Sequence, residues 1–229
     1  MLIGRGAMPE KIIFTWSGGK DSAIALHKIQ ANKQYHILAL LTTITDAYDR
    51  VSMHGVRTKL LEKQAKSIGL PLEKMPITKD ASHKQYKSRM KSILQSYKEE
   101  GVSSVAFGDI FLEGIRDYRQ KNLDLVGMKA LFPIWGSNTG ELANQFIASG
   151  FKSIITCVDT ELLPKEFCGR EFNKAFLEDL PEGVDPCGEN GEFHSFVYEG
   201  PIFQESVAHK IGEKVLRENR FYYCDLLPI

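Results

Sequence analysis

The run IIFTWSGGKDS near the start of the chain contains residue types suited to binding an anion. An apolar strand predicted over residues 11–16 opens into Gly18 and Gly19, which have no Cβ and let several backbone N–H groups approach one phosphate. A helix predicted over residues 21–30 follows directly, and the N-terminus of a helix carries about half a positive charge. Lys20 adds a full charge. The run therefore predicts a turn that binds phosphate groups.

The spacing of this turn excludes two common nucleotide-binding motifs. A Walker A loop requires GxxxxGK[ST], and a dinucleotide fingerprint requires GxGxxG with an acidic residue about 20 positions on. The turn has neither pattern. The alternative is that the segment binds no ligand and is an ordinary glycine turn in which Ser17 or Ser22 caps the helix. Because strand, glycine pair, lysine and helix occur together, the phosphate-binding interpretation is favoured.

A second group of chemically capable residues occurs in GVDPCGENGEFHSF, residues 183–196. Its candidate side chains are Asp185, Glu189, Glu192 and His194. Glycines give the segment an irregular backbone, and loops dense in titratable groups usually carry function. Carboxylates can bind an amine, and an imidazole can accept or donate the proton of that amine. The competing use is a metal site built from Glu189, Glu192 and His194. Cys187 is interpreted as structural, since no partner base is evident.

Charged side chains also follow the fourth predicted strand. Asp109 comes just past the end of that strand. On the next helix, Glu113, Arg116 and Arg119 lie at i, i+3 spacing and can share a face. They would then line a ligand site with charges of both signs. The alternative is a salt-bridged helix exposed to solvent.

The segment after the second predicted strand supplies further candidates. In the run MHGVR, His54 and Arg57 lie near the start of a helix predicted over residues 56–68, which places them at the rim of a crevice. The alternatives are that His54 caps the helix and that Arg57 is a solvated surface charge. The polar residues expected just past the strand itself are Thr42, Thr43 and Thr45.

The elements that must position these residues alternate between strand and helix. Apolar runs predict strands over residues 11–16, 36–42, 72–76, 104–108 and 130–134, with helices over 21–30, 56–68 and 82–100. This alternation is typical of an α/β fold with a parallel sheet of about five strands and helices on both faces. Ligands of such sheets bind beyond the carboxyl ends of the strands. All the candidate segments above should therefore face one crevice.

The pattern changes near residue 136, after which one helix (139–149) and one strand (153–158) precede a stretch rich in proline and glycine. The sequence thus predicts a leader at residues 1–10, a nucleotide-binding domain at 11–135 and a smaller α+β lobe at 136–229.

Composition limits the classes of function. The chain has 229 residues, 43% hydrophobic and 25% charged, with 29 basic and 29 acidic residues. A net charge of zero gives no general attraction to nucleic acid or to a membrane surface. Neither a transmembrane run nor a secretory signal is visible, so a cytoplasmic protein is expected. The four cysteines form no CxxC pair, which argues against a zinc site, a disulfide framework and sulfur insertion into transfer RNA.

The motifs together resemble a known family. SGGKDS resembles the PP-loop of the N-type ATP pyrophosphatases, which have an adenine nucleotide alpha hydrolase-like fold and cleave ATP between its α and β phosphates. With MHGVR, FGDI, FPIWG and GVDPCGENGEFH, the chain resembles the diphthine–ammonia ligase family over about residues 11–203. Members use ATP and ammonium to convert the carboxyl group of diphthine, a modified histidine of elongation factor 2, into an amide.

The resemblance implies that Ser17, Gly18, Gly19, Lys20, Asp21 and Ser22 hold ATP and that the GENGE loop helps form the acceptor site. From their places at the predicted crevice, Thr42 and Gly108 are further expected ATP ligands. The expected acceptor-binding residues are His54, Arg57, Asp109, Glu113, Arg116, Asp185, Glu189 and Asn190. Related loops commonly read GEGGE with an acidic residue two positions on, whereas this chain has Asn190 and then His194. The chain is therefore similar to a bacterial-type or short member, and its acceptor is left open.

The expected chemistry is adenylation of an acceptor carboxylate followed by transfer of ammonia. Lys20, Asp21, Glu189, Glu192 and His194 are the expected catalytic residues, with ATP and a phosphate-bound Mg²⁺ as cofactors. Arg116 is the candidate for holding the acceptor carboxylate. A PP-loop enzyme that modifies transfer RNA and a sensor that binds ATP or AMP without turnover are the alternatives. The oligomeric state, a homodimer included, is left open.

Overall fold

A parallel sheet forms the first part of the structure, a computed structural model that describes residues 8–45, 50–51, 55–78 and 82–229. Its elements are β1 (Glu10–Thr15), α1 (Lys20–Ala31), β2 (Tyr35–Thr45), β3 (Arg50–Val51), α2 (Thr58–Ile68), β4 (Leu72–Ile77), α3 (His83–Glu99), β5 (Ser104–Ala106), α4 (Glu113–Asp124) and β6 (Lys129–Leu131). Strands β4, β2, β1, β5 and β6 pair in this order and run parallel, while β3 pairs antiparallel with the end of β2. The α/β fold expected from the sequence is confirmed.

The central strand β1 explains why helices cover both faces of this sheet. Ile12 and Phe14 pack into one hydrophobic cluster together with α1 and α2. Ile13, on the opposite face, packs into a second cluster with Leu94 of α3 and Leu123 of α4. A strand that is apolar on both faces is typical of a parallel sheet buried between helices.

The order of the strands places the crevice. Strand β1 has β2 on one side and β5 on the other, and the chain leaves β1 and β5 toward helices on opposite faces. Loops that diverge in this way open a ligand-binding crevice at the carboxyl ends of the two strands. The loop after β1 is the glycine turn predicted to bind phosphate.

Several predicted element boundaries were wrong. Strand β2 continues to Thr45 rather than ending at residue 42, because its last residues pair with β4 and β3. Thr42, Thr43 and Thr45 therefore lie within the strand, not past its end. Residues 1–7, most of the predicted leader, lie outside the described residues, and Glu10 already belongs to β1.

A four-stranded antiparallel sheet forms the smaller C-terminal part. Its elements are α5 (Thr139–Ala148), β7 (Lys152–Asp159), a 3-10 turn (Lys165–Phe167), α6 (Lys174–Glu178), β8 (Phe193–Glu199), β9 (His209–Arg217) and β10 (Phe221–Pro228). The strand order is β8, β7, β10, β9. The predicted smaller α+β region is confirmed, although only β7 was expected among its strands. No described helix has the length and apolar character needed to cross a membrane.

The side chain of Gln64 joins the two parts. It is fully buried, and its Oε1 accepts a hydrogen bond from the indole N–H of Trp16 at 2.9 Å. Its Nε2 donates to the carbonyl oxygens of Gly18 (3.0 Å) and Val197 (2.6 Å). The N–H of Val197 donates to the same Gly18 carbonyl at 2.9 Å. One buried amide thus connects α2, the phosphate turn and β8.

The Gln64 contacts predict a large effect of a substitution that removes only the amide. Gln64→Leu would leave the Trp16 N–H and the Val197 carbonyl buried without their partner, which costs at least about 2 kcal/mol of unfolding free energy. Urea denaturation measures this loss. The control is Gln145→Leu on the exposed face of α5, where a change of at most about 0.5 kcal/mol is expected. Equal stability of the two variants would contradict the structural role of Gln64.

Candidate active site

A cavity of about 840 Å³ opens at the carboxyl ends of β1, β2 and β5. Its walls come from the phosphate turn, from α3 and α4, and from the loop that leads into β8. The polar residues that line it include Ser17, Gly19, Lys20, Asp21, Ser22, Thr42, Thr43, Asp109, Arg119, Asn122, Glu189 and His194. The segments after β1, after β5 and before β8 therefore meet in one chamber, as the strand order requires.

The phosphate turn has the backbone that an anion site needs. Gly18 has φ +79°, and a Cβ there would lie 2.7 Å from Oε1 of Gln64, so glycine is required on two grounds. Gly19 is the N-cap of α1 and has no side chain to cap the helix, while the N–H of Lys20, the first residue of α1, donates to the hydroxyl of Ser195 at 3.1 Å. The Ser17 hydroxyl instead accepts from the N–H of Gly19 (3.2 Å) and lies 3.1 Å from the hydroxyl of Ser22. The alternative of a simple serine cap is not supported.

The ammonium group of Lys20 is held inside the wall of the cavity. The residue is 3% exposed, and Nζ donates to Asp21 Oδ2 at 2.9 Å and to the carbonyl oxygen of Cys187. Its Nζ also lies 5.1 Å from the centre of the Phe193 ring. Burial is the largest single effect and opposes the charge, but Asp21 and the other neighbouring acidic groups, Glu189 included, together outweigh it, and the pKa of Lys20 is raised. The direct contact of Lys20 with a phosphate stays a prediction, since the group is bound here by protein partners.

Gly108 brings the loop after β5 against the phosphate turn. A Cβ on Gly108 would lie 3.0 Å from the backbone of Ser22, so a larger residue would push the two segments apart by a few tenths of an ångström. The next residue, Asp109, forms a bidentate ion pair with Arg119. The guanidinium of Arg119 also lies 4.5 Å from the centre of the Phe107 ring. Both charged groups line the cavity.

Two carboxylates of the loop before β8 accept hydrogen bonds from within the loop and hold its conformation. Glu192 is 4% exposed and accepts hydrogen bonds from the backbone N–H groups of Asp185 (3.1 Å) and Asn190 (3.0 Å). It also accepts from the side-chain amide of Asn190 at 3.1 Å. Asp185 accepts from the N–H groups of Cys187 (3.1 Å) and Glu189 (3.0 Å). Asp185, Asn190 and Glu192 are not among the described residues that line the cavity, where the sequence placed them.

Glu189 is the carboxylate of this loop that reaches the cavity. Its Oε1 accepts a hydrogen bond from the N–H of Ile110 at 2.8 Å, which ties the loop to the segment after β5. Burial and the neighbouring carboxylates of Asp21 and Asp109 raise the pKa of Glu189 to about 7. Glu189 can therefore exchange a proton near neutral pH.

His194 lies at the start of β8 and also lines the cavity. Burial, with a smaller effect of the Lys20 charge, lowers the pKa of His194 to about 4. The imidazole is consequently neutral at physiological pH. It can accept or donate a hydrogen bond but carries no charge there.

Other predicted site residues lie elsewhere. Arg57 pairs with Asp225 of β10 at 2.6 Å, and it does not line the cavity. Glu113 and Arg116 are exposed, and Arg116 lies 4.7 Å from the ring centre of Trp135. The face of α4 that lines the cavity carries Ile115, Tyr118, Arg119 and Asn122. His54 lies outside the described residues.

The described residues form no metal site of their own. Within residues 8–45, 50–51, 55–78 and 82–229, no three His, Cys, Asp or Glu side chains form a group that could hold a metal ion. Glu192, one of the three ligands considered from the sequence, accepts three hydrogen bonds within its own loop.

Sequence reasoning missed two polar residues of the site. Gln64 appeared only as part of a helical pattern, although it fixes the phosphate turn. Ser195 was not singled out, although its hydroxyl accepts from the N–H of Lys20 at 3.1 Å. Both contacts join positions far apart in the chain, so no local pattern could have found them.

Both parts of the chain match models of known protein families. Residues 10–130 match the family model described as the diphthamide synthase N-terminal domain, and residues 138–225 match the diphthamide synthase C-terminal domain. A relative named diphthine–ammonia ligase from Danio rerio is 24% identical over 235 residues, which cover 91% of this chain and 90% of that protein.

Two further relatives carry the same name. The human protein is 24% identical over 225 residues, covering 87% of this chain and 83% of that protein. The protein of Schizosaccharomyces pombe is 24% identical over 232 residues, covering 89% of this chain but 38% of that protein. The similarity thus extends over both parts of the fold.

The raised pKa of Glu189 predicts how stability changes with pH. The folded protein retains a proton that the unfolded chain releases near its ordinary value of 4.5. The contribution of Glu189 to stability is therefore complete below pH 4.5 and is lost as the pH rises through about 7. Between pH 5 and 8, we expect the wild type to lose about 1 kcal/mol relative to Glu189→Gln, after allowance for partial exposure.

Chemical denaturation at several pH values measures this difference. The control is Glu113→Gln, which removes an exposed carboxylate from α4. A difference between wild type and Glu189→Gln that stays constant with pH would contradict the raised pKa.

Proposed function

The chain belongs to the diphthamide synthase family, and from this premise we propose that it is an ATP-dependent ligase that joins ammonia to an acceptor carboxylate through an acyl-adenylate. Its relatives are named diphthine–ammonia ligases. One observation carries the proposal. The phosphate turn and the Glu189 loop face the same cavity, and the Glu189 carboxylate is hydrogen-bonded to Ile110, two residues after Gly108.

The phosphates of ATP would lie on the turn at residues 17–22. Gly18 and Gly19 give a backbone that admits an anion, and the N-terminus of α1, which begins at Lys20, adds favourable charge. Thr42, which lies within β2, supports a place for the adenine beside that strand. Its hydroxyl is buried in the cavity wall and has no hydrogen-bond partner among the described residues.

Magnesium would be held mainly by phosphate oxygens. Mg²⁺ usually keeps several water ligands and needs only one or two protein carboxylates. Asp21 lines the cavity beside the turn and fits this requirement. When bound, the ion neutralises phosphate charge.

The first half-reaction is attack of an acceptor carboxylate oxygen on the α-phosphorus of ATP. The bond from the α-phosphorus to the bridging oxygen breaks, pyrophosphate leaves, and an acyl-adenylate remains. The protein contributes position and electrostatic stabilisation, through the backbone N–H groups of the turn and the buried charge of Lys20.

The second half-reaction forms the amide. Ammonia attacks the acyl carbon, the bond from carbon to the adenylate oxygen breaks, and AMP leaves. The nitrogen must lose a proton, and Glu189, with its pKa near 7, can accept it. The neutral imidazole of His194 can orient the nitrogen by a hydrogen bond.

The division between the two half-reactions predicts different effects of two conservative variants. Asp21→Asn removes the carboxylate beside the phosphates and should lower pyrophosphate formation in a single turnover at least about tenfold. Glu189→Gln should leave pyrophosphate formation in a single turnover within about threefold of wild type but lower amide formation and AMP release at least about tenfold, because the proton acceptor is lost. A coupled assay of pyrophosphate and mass spectrometry of the amide measure the two steps.

The acceptors used are elongation factor 2 carrying diphthine and a fractionated extract of the source cells. The control is Glu113→Gln, an exposed carboxylate outside the cavity lining, which should match wild type. Equal loss of pyrophosphate and amide in Glu189→Gln would contradict the assigned roles. Bound but unchanged ATP with every acceptor would indicate a sensor instead of a ligase.

A further inference from the structure

Arg119 of α4 is the arginine among the described residues that line the cavity. The other cationic side chains of the lining are Lys20, Lys87 and Lys91. Lys20 is bound to Asp21 and to the Cys187 carbonyl, and Lys87 and Lys91 are exposed. Arg119, with 31% of its side chain exposed, is thus the half-buried cation that faces the chamber.

The guanidinium of Arg119 is fixed in orientation. Nε and Nη2 donate to the two carboxylate oxygens of Asp109, whose side chain is only 14% exposed. The plane also lies close to the Phe107 ring. These contacts use one edge of the group and leave Nη1 without a hydrogen-bond partner in the part of the chain that the structure describes. A planar fork held in this way can bind a second carboxylate without loss of side-chain freedom.

The position of this group matches the place where the acceptor must react. Asp109 lies between Gly108, which touches the backbone of Ser22, and Ile110, which binds Glu189. Through Asp109, the Arg119 guanidinium is therefore linked to the phosphate turn on one side and to Glu189, the proposed proton acceptor, on the other.

Charge and shape favour a carboxylate with an apolar body as the partner of this fork. The chamber already holds the carboxylates of Asp21, Asp109 and Glu189, so an incoming carboxylate needs a cation to offset their repulsion. The phosphates of ATP would instead bind to the turn and to the N-terminus of α1. Both lie on the side of the cavity formed by β1, whereas Arg119 lies on α4. Beside Arg119, α4 presents Ile115, Leu123 and other apolar residues to the cavity.

We propose that Arg119, positioned by Asp109, binds the carboxylate of the acceptor, and that the acceptor carries this carboxylate on an apolar body. This inference rests on the proposed ligase function, but its chemistry can be tested without turnover. It also replaces Arg116, which the sequence favoured for this role and which stacks on Trp135 outside the cavity lining.

The test compares benzoate with benzamide, a neutral compound of nearly the same shape. Binding is followed in the full chain by NMR of the Arg119 Nε–H resonance and by titration of the variants. Benzoate should shift this resonance and saturate it, while benzamide should bind at least about tenfold more weakly. Arg119→Gln should weaken benzoate binding at least about tenfold, and Arg119→Lys, which keeps the charge and can still pair with Asp109, should weaken it less. Arg116→Gln should bind benzoate as the wild type does.

A nucleotide titration separates the two sources of negative charge. Calorimetry with α,β-methylene-ATP should give the same affinity, within about threefold, for wild type and for both Arg119 variants. An equal loss of nucleotide and benzoate affinity would make Arg119 a phosphate ligand and overturn the proposal. Benzoate binding that is absent, matched by benzamide or unaffected in Arg119→Gln would also overturn it. Failure of the ligase function would appear separately, as unchanged ATP in the turnover assay.

Discussion

The buried polar contacts between the phosphate turn and the C-terminal sheet are the constraint on which the rest of the structure depends. The carbonyl of Gly18 receives two N–H groups, one from the Gln64 side chain and one from the backbone of Val197. Two residues on, the Lys20 ammonium binds the carbonyl of Cys187. Burying such groups without partners is costly, so each fixes the position of the others. The two parts of the chain therefore cannot separate without unpairing the phosphate turn.

This constraint determines which groups can do chemistry. Because the charge of Lys20 is committed to Asp21 and Cys187, it acts within the wall of the cavity. The loop held by Cys187 presents Glu189 to the chamber and turns Glu192 inward. Burial then raises the pKa of Glu189 toward neutrality. The same contacts that stabilise the fold thus give Glu189 the pKa that the proposed proton transfer requires.

The sequence was sufficient for features that arise from local patterns. The glycine turn between an apolar strand and a helix, and the alternation of strands and helices, lie within short segments, and the α/β fold followed from them. The crevice could also be predicted, because parallel strands end on one edge of the sheet.

The roles of single charged residues could not be predicted from the sequence. Arg116 and Arg119 are one turn apart on α4, and only the packing of that helix decides which of them faces the cavity. Glu189 lines the cavity while Glu192 binds its own loop, and sequence spacing does not reveal the contacts that cause this difference. Strand β9, largely exposed and polar, lacks the apolar run that marked β1.

The most direct test is the mass of the products formed from ATP, Mg²⁺, ammonium and an acceptor carboxylate labelled with ¹⁸O, using elongation factor 2 carrying diphthine or an active extract fraction. The account predicts pyrophosphate, AMP that contains one ¹⁸O atom from the carboxylate, and an amide product lighter by the replacement of OH with NH₂. ADP with labelled phosphate, or AMP without the label, would contradict the acyl-adenylate and the arrangement of the site derived from it.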